Sequence, residues 1–122
     1  MGLWAFRADG DGKPLWEYSK GTAYVYPITD ERLITCLEAK TGVLRYEGKR
    51  PGPGGQFAGS PVAYDGKILL TSEDGETHVI QAGPEFAVLR TNSVGEPVLA
   101  SPAIANGMIF IRGRDHLFAI AQ

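Results

Sequence analysis

The 122-residue chain has one cysteine, no apolar run long enough to cross a membrane and no excess of charge of one sign. A single cysteine rules out a disulfide within the chain, and a membrane-spanning helix needs about 18 or more apolar residues. The net charge of -2, with both signs interspersed, argues against a surface for nucleic acid or anionic lipid. Residues 1–7 also lack the pattern of a secretory signal peptide.

What the chain does contain is a repeated stretch. Ser60–Thr71 is followed 41 residues later by Ser101–Arg112, and both have Ser-Pro, a short apolar run, Asx-Gly and a second apolar run. A fixed period of this size is typical of repeat architectures. Asp65-Gly66 and Asn106-Gly107 predict hairpin turns, because both turn positions need positive φ. Each unit therefore reads as short antiparallel strands.

The repeat unit fits one blade of a propeller. Four short antiparallel strands in roughly 40 residues is the plan of such a blade. The runs Ile68–Leu70 and Ile109–Ile111 are continuous rather than alternating, so both faces of these strands need cover, which neighbouring blades supply. We predict an all-β partial propeller of about three repeats.

The predicted blades divide the chain unevenly. Residues 1–18 read as the end of one blade, 19–56 as a shortened blade plus a Gly/Pro loop, 57–97 as a full blade and 98–122 as a last blade lacking its final strand. Strands are predicted at residues 22–27, 32–39, 43–46, 86–91 and 117–121, among others. A closed propeller needs about four to eight blades, so the expected partners include the missing blades of a longer ring or further copies of the chain.

The residues at two of the turns carry a family resemblance. Ala39–Tyr46 resembles the blade motif A-x-T-G-x-x-x-W of pyrroloquinoline-quinone-like (quinoprotein-like) propellers, and Ala8–Trp16 resembles a second copy with one residue inserted. In that family the glycine makes the turn and the aromatic residue four positions later packs against the next blade. The resemblance assigns these turn and packing roles to Gly12, Trp16, Gly42, Tyr46, Gly66 and Gly107.

The resemblance implies two kinds of function. Quinoprotein dehydrogenases hold a quinone and calcium, and their sites include a pair of adjacent cysteines, which this chain lacks. Other members, similar to the propeller lipoprotein of the outer-membrane barrel-assembly machinery, bind no cofactor and act as interaction scaffolds. The resemblance also suggests the periplasm or cell envelope. Tyr46 stands where the family has tryptophan, and the blade containing it is short by about one strand.

Three side chains are candidates for chemistry. Cys36 lies in mid-strand with no histidine nearby in sequence, so we expect a buried structural thiol. His78 and His116 lie near corresponding points of two units, with acidic residues close by. Their spacing of 38 residues is no metal-ligand motif, and we expect both to be solvated strand ends.

The remaining candidates have structural interpretations. Asp9–Gly12 fails the calcium-loop pattern and is interpreted as a turn, and Gly52–Gly55 lacks the spacing of a phosphate loop and is interpreted as a flexible part of the loop at 47–56. Aromatic side chains bury large areas, so we expect most of the following to pack between blades, with Tyr24 and Tyr26 the pair whose burial is least certain: Trp4, Tyr18, Tyr24, Tyr26 and Tyr64.

The sequence favours a non-catalytic propeller segment that acts as a protein-interaction scaffold, with no cofactor and no metal. Two alternatives stay open. One is the C-terminal fragment of a quinone-dependent dehydrogenase, and the other is the extracytoplasmic sensor portion of a larger protein. No residue is assigned a catalytic role.

Overall fold

The computed structural model describes residues 24–57 and 59–121, and the regular structure there is entirely β. Its strands are all paired antiparallel and form three sheets that follow one another along the chain. This arrangement confirms the predicted all-β fold and a partial propeller. Within these residues no helix is long and apolar enough to span a membrane.

The first sheet has the order β1-β2-β3. Its strands are β1 (Tyr24–Val25), β2 (Ile34–Glu38) and β3 (Leu44–Lys49). The prediction that a loop begins at residue 47 is wrong, because β3 continues to Lys49. Gly48 has φ 64° and lies where the register between β2 and β3 shifts, and such a bulge lets a strand continue through a glycine.

The middle sheet has four strands in the order β4-β5-β6-β7. They are β4 (Val62–Tyr64), β5 (Lys67–Thr71), β6 (Glu76–Gln81) and β7 (Val88–Ser93). The fourth strand was predicted at residues 86–91 and begins two residues later. Phe86 instead stands edge-on to Tyr46 of the first sheet, with ring centroids 5.4 Å apart, so packing between sheets takes this residue out of the strand.

The last sheet contains β8 (Ala103–Ala105), β9 (Met108–Arg112) and β10 (Leu117–Ala121) in the order β10-β9-β8. The predicted strand at 117–121 is confirmed at both ends. Its hairpin has the same register as that of the middle sheet, since Val62 pairs with Leu69 and Ala103 with Phe110.

The 41-residue period also governs how the linkers join the sheets. Phe57 forms an isolated bridge with Ser72, and Val98 forms the corresponding bridge with Gly113. The backbone bond from Glu73 N to Gln56 O recurs as Arg114 N to Pro97 O, at 2.8 Å in both units. The repeat in sequence is therefore a repeat in hydrogen bonding.

The two Asx-Gly turns adopt the conformation predicted for them. Asp65 and Gly66 have φ of 49° and 69°, and Asn106 and Gly107 have φ of 53° and 74°. Two successive positive φ values match the right-handed twist of the flanking strands, which is why such pairs close tight hairpins.

The main core lies between the first and middle sheets. We call the contact between these two sheets the first junction. Its hydrophobic core consists of Tyr24, Tyr26, Ile28, Ile34, Cys36, Tyr46, Ile68, Leu70, Ile80 and Ala82. We call the contact between the middle and last sheets the second junction. Val98 and Ile111 are buried there. Ser60 N also donates to Ser101 Oγ at 2.7 Å across this junction.

Candidate functional site

Cys36 is fully buried in β2, as predicted. Its thiol donates to the carbonyl oxygen of Gly83 at 3.5 Å. Desolvation by burial raises the pKa of the Cys36 thiol to about 11. Since the thiolate is the nucleophilic form, this buried cysteine is held as a thiol that links two sheets.

Tyr24 and Tyr26, whose burial was the least certain, both belong to the core, with exposed fractions of 6% and 1%. The Tyr26 hydroxyl accepts a hydrogen bond from Gly83 N at 2.7 Å. Burial raises the pKa of this phenol well above its ordinary value. The backbone of Gly83 therefore accepts a hydrogen bond from Cys36 and donates one to Tyr26. These two bonds tie the turn between β6 and β7 to the first sheet.

The expectation that His78 is a solvated strand end is wrong. His78 lies in β6 with an exposed fraction of 1%. One ring nitrogen, Nδ1, is 3.0 Å from Thr91 Oγ1, and the other, Nε2, is 3.3 Å from Arg32 Nη2. Because a guanidinium only donates, Nε2 is the acceptor and Nδ1 carries the proton. Burial, followed by the charge of Arg32, lowers the pKa of His78.

Arg32 is the residue that organises this site, and the sequence did not single it out. It has φ 67° and is 6% exposed in the turn before β2. Besides facing His78, its guanidinium donates to the carbonyl oxygen of Gly54 at 3.0 Å and stands over the ring of Phe57 at 4.9 Å. Its Nε is buried without a hydrogen-bond partner, a cost that the other contacts of the side chain offset.

The Gly/Pro loop is held by these contacts. Arg32 binds the carbonyl oxygens of Pro53 and Gly54, and Gly55 N donates to the Asp74 carboxylate at 2.5 Å. Gly52 lies beside His78, where an added Cβ would come 3.4 Å from the imidazole ring. The loop predicted to be flexible thus covers the buried histidine and joins the first sheet to the middle sheet.

His116 does lie at a solvated strand end, as predicted, next to β10. Its side chain is 69% exposed, and Nδ1 is 2.7 Å from Glu96 Oε2. The other carboxylate oxygen of Glu96 accepts from the backbone N–H groups of Asp115 and His116, both at 2.8 Å. Hydrogen bonding to Glu96 raises the pKa of His116, and the same bond lowers the pKa of Glu96.

The two histidines hold different junctions. Across residues 24–57 and 59–121, no three His, Cys, Asp or Glu side chains lie close enough to hold a metal ion.

The motif residues from the family resemblance divide into two sets. Tyr46 is 8% exposed and contacts Phe86 in the turn between β6 and β7. Gly42 has φ 73°, as a glycine turn needs, and Gly66 and Gly107 are in the hairpin turns. The other predicted positions lie outside the described residues: Trp4, Asp9–Gly12, Trp16 and Tyr18.

Comparison with known proteins supports the fold of this chain through a solved structure. No family model matches the chain, and no curated protein matches it. Among solved structures, BamB from Moraxella catarrhalis is similar, with a TM-score of 0.60 at 13% sequence identity. The match covers 80% of this chain and 29% of the BamB chain, so the chain spans less than a third of that protein. At this identity the likeness shows a partial β-propeller fold alone.

Proposed function

We propose that the chain is a non-catalytic segment of a quinoprotein-like β-propeller that acts as a protein-interaction scaffold. The observation that carries the proposal is that its reactive side chains connect neighbouring sheets. Cys36, His78 and His116 are each hydrogen-bonded to a residue of another sheet or linker. Side chains used in this way set the angle between blades.

The protonation states of these groups support the proposal. Cys36, with its raised pKa, stays a thiol near neutral pH. His78 is neutral and has both ring nitrogens within hydrogen-bonding distance of Arg32 or Thr91. A general base needs a free nitrogen facing the substrate, and this imidazole, 1% exposed, faces protein on both sides.

The surface supplies the other half of the proposal. Exposed large apolar side chains mark protein contact sites when they lie together, and most of those below are on the first and last sheets or the linker between sheets: Val43, Leu44, Val88, Leu89, Leu99, Leu117 and Ile120. The partners we propose are protein surfaces, among them missing blades of a longer propeller or further copies of the chain. The resemblance to envelope propellers makes the periplasm or cell envelope the proposed location.

A quinone assay tests the non-catalytic part. Purified chain is titrated with pyrroloquinoline quinone and calcium, and dye reduction is measured with alcohols and sugars as substrates. We expect no saturable quinone binding and no dye reduction. Substrate oxidation that is lost in His78→Gln or Cys36→Ala at a temperature where both variants are folded would contradict the proposal.

Photo-crosslinking tests the scaffold part. Leu99 is 75% exposed and is replaced by a photoreactive phenylalanine analogue in the cells that make the protein. Lys67, at the start of β5 and next to a turn, takes the analogue as the control. We expect a discrete protein adduct from position 99 and none from position 67. Equal or absent adducts at the two positions would argue against a specific protein partner at this surface.

A further inference from the structure

The last sheet presents an apolar face whose counterpart in the middle sheet is covered. Directly opposed residues of antiparallel strands share a face. Phe110 opposes Ala119 and Ala103, and Met108 opposes Ala121 and Ala105. These residues, together with Leu117, form what we call the end face.

The 41-residue period identifies the counterpart of Phe110, and the strand register identifies that of Leu117. The register is needed there because the paired residues that close the turn before β10 are one residue closer in sequence than those that close the turn before β6. Leu69 corresponds to Phe110 and is 4% exposed, whereas Phe110 is half-buried. In the third strands, Thr77 pairs with Thr71 and Leu117 with Arg112, so Thr77 corresponds to Leu117. Thr77 is 4% exposed and Leu117 is 66% exposed. The larger apolar side chain of each pair is therefore the one in contact with solvent.

The repeat indicates what kind of surface covers such a face. Leu69 lies between Ile68 and Leu70, which point into the first junction, so it points the other way, since strand side chains alternate. The next element on that side is the last sheet, which is tied to the middle sheet through Ser60 and Ser101. In this molecule, then, such a face is covered by another sheet of the same repeat.

We propose that the end face binds the first sheet of a second copy of this chain, so that copies join head to tail. This proposal rests on the proposed scaffold function and names its partner.

The first sheet offers matching chemistry. Leu37 pairs with Leu44 in the β2–β3 ladder, next to Cys36, which points into the first junction, so the two leucines lie on the other face. Leu44 is 48% exposed and Val43 is 46% exposed. The end face carries the exposed cation Arg112 and the first sheet the exposed anion Glu47, so these two residues offer one pair of opposite charges across the contact.

The number of sheets suits a closed ring. A head-to-tail contact is heterologous and closes only if the rotation per copy allows it. The structure describes three sheets per chain. The described residues of two copies supply six sheets, within the range of about four to eight blades found in closed propellers.

Solution mass is the first test. The full chain, of 13.1 kDa, is examined by light scattering after gel filtration at two concentrations. We expect twice the chain mass for the wild type and for Arg90→Glu, which changes an exposed residue of β7 outside the proposed contact surface. We expect the monomer mass for Leu117→Glu. A monomeric, aggregated or unfolded wild type overturns the proposal, as does an unchanged mass in Leu117→Glu.

Cysteine pairing tests the direction of the contact. Leu117→Cys and Leu44→Cys are prepared separately, mixed, allowed to exchange and oxidised. We expect the mixed disulfide to predominate over either homodimer. The wild type is the control and should not crosslink, because Cys36 is buried. A Leu117→Cys homodimer as the main product would mean a face-to-face contact and would overturn the head-to-tail arrangement. Neither result depends on the quinone assay, so the two proposals fail separately.

Discussion

The first junction buries tyrosine, cysteine, histidine and arginine side chains between its two sheets. At the second junction the middle sheet buries Leu69 and a hydrogen-bonded threonine pair, Thr71 and Thr77, while the histidine contact of the last sheet lies in solvent. His78 of the first junction is 1% exposed, and the side chain of His116 at the second is 69% exposed. The same repeat has thus been joined in two ways. The hairpins are the same in both units, whereas the contacts between units differ from one junction to the next.

The difference has an energetic consequence. Polar groups in the first junction lose their water and depend on each other, so removing one partner leaves the other unsatisfied in the interior. Exposed ion pairs contribute little, because water replaces the lost partner. We therefore expect the first junction to dominate stability and to respond sharply to substitution.

The largest effect is expected for Ile68→Ala compared with its counterpart Ile109→Ala. Ile68 is fully buried, whereas Ile109 is half-buried. Truncating a buried isoleucine costs about 2–5 kcal/mol through lost burial and a cavity. The half-buried position should cost about half as much or less. Urea unfolding of both variants measures the difference, and equal losses would mean that the two junctions are packed equally well.

The next effect should be the same in both sheets. Gly66 and Gly107 have φ of 69° and 74°, and an added Cβ at either meets nothing within 4 Å. Gly66→Val and Gly107→Val therefore cost only backbone strain, on the order of 1–3 kcal/mol each. Thermal melting measures both. A difference in stability loss between the two glycine variants as large as that expected between the two isoleucine variants would show that the turns are not independent of the junctions.

The turns were predictable because their cause is local. Asx-Gly at two positions 41 residues apart determines the hairpins, and β10 follows from five consecutive apolar residues between a polar turn and the end of the chain. The error at Lys49 has a local cause as well, a bulge at Gly48 that a propensity argument reads as a loop.

The state of His78 was not predictable from its neighbours in sequence. Arg32 is 46 residues away and reaches the imidazole because the first and middle sheets pack together. Likewise, Ile68–Leu70 and Ile109–Ile111 read alike in the sequence, yet the middle sheet has a neighbour on both sides and the last sheet exposes its end face. Burial depends on what the next element along the array is, and a pattern within one strand does not contain that information.

The buried histidine gives the first junction an acid-sensitive element. The pKa of His78 is lowered by burial and then by Arg32, against a smaller opposing effect of Glu76. The unfolded chain therefore binds a proton more readily than the folded one below about pH 6.5. Stability should be full above that pH and fall as the pH drops from about 6.5 towards the folded pKa.

Urea midpoints measured from pH 7.5 to 5 check this, with the stability of His78→Gln expected to vary less with pH over that range, since glutamine does not titrate. An equally steep decline in His78→Gln would assign the acid sensitivity to other groups.

The smallest effect is expected at the second junction and has the opposite sign. The pKa of His116 is raised by its hydrogen bond to Glu96, so this pair stabilises the fold below about pH 6.5, the unfolded value, and the contribution is lost as the pH rises through the folded pKa. In Glu96→Gln the amide oxygen still accepts from the two backbone N–H groups, but the charge is gone. NMR titration of the His116 ring should therefore show a lower pKa in Glu96→Gln than in the wild type, while the pKa of His78 stays unchanged.

The matched control is Glu85→Gln, in the turn before β7, which should leave the pKa of His116 unchanged. A change at His78 in Glu96→Gln would show that the two junctions are coupled, and an unchanged His116 pKa would show that the pair does not persist in solution.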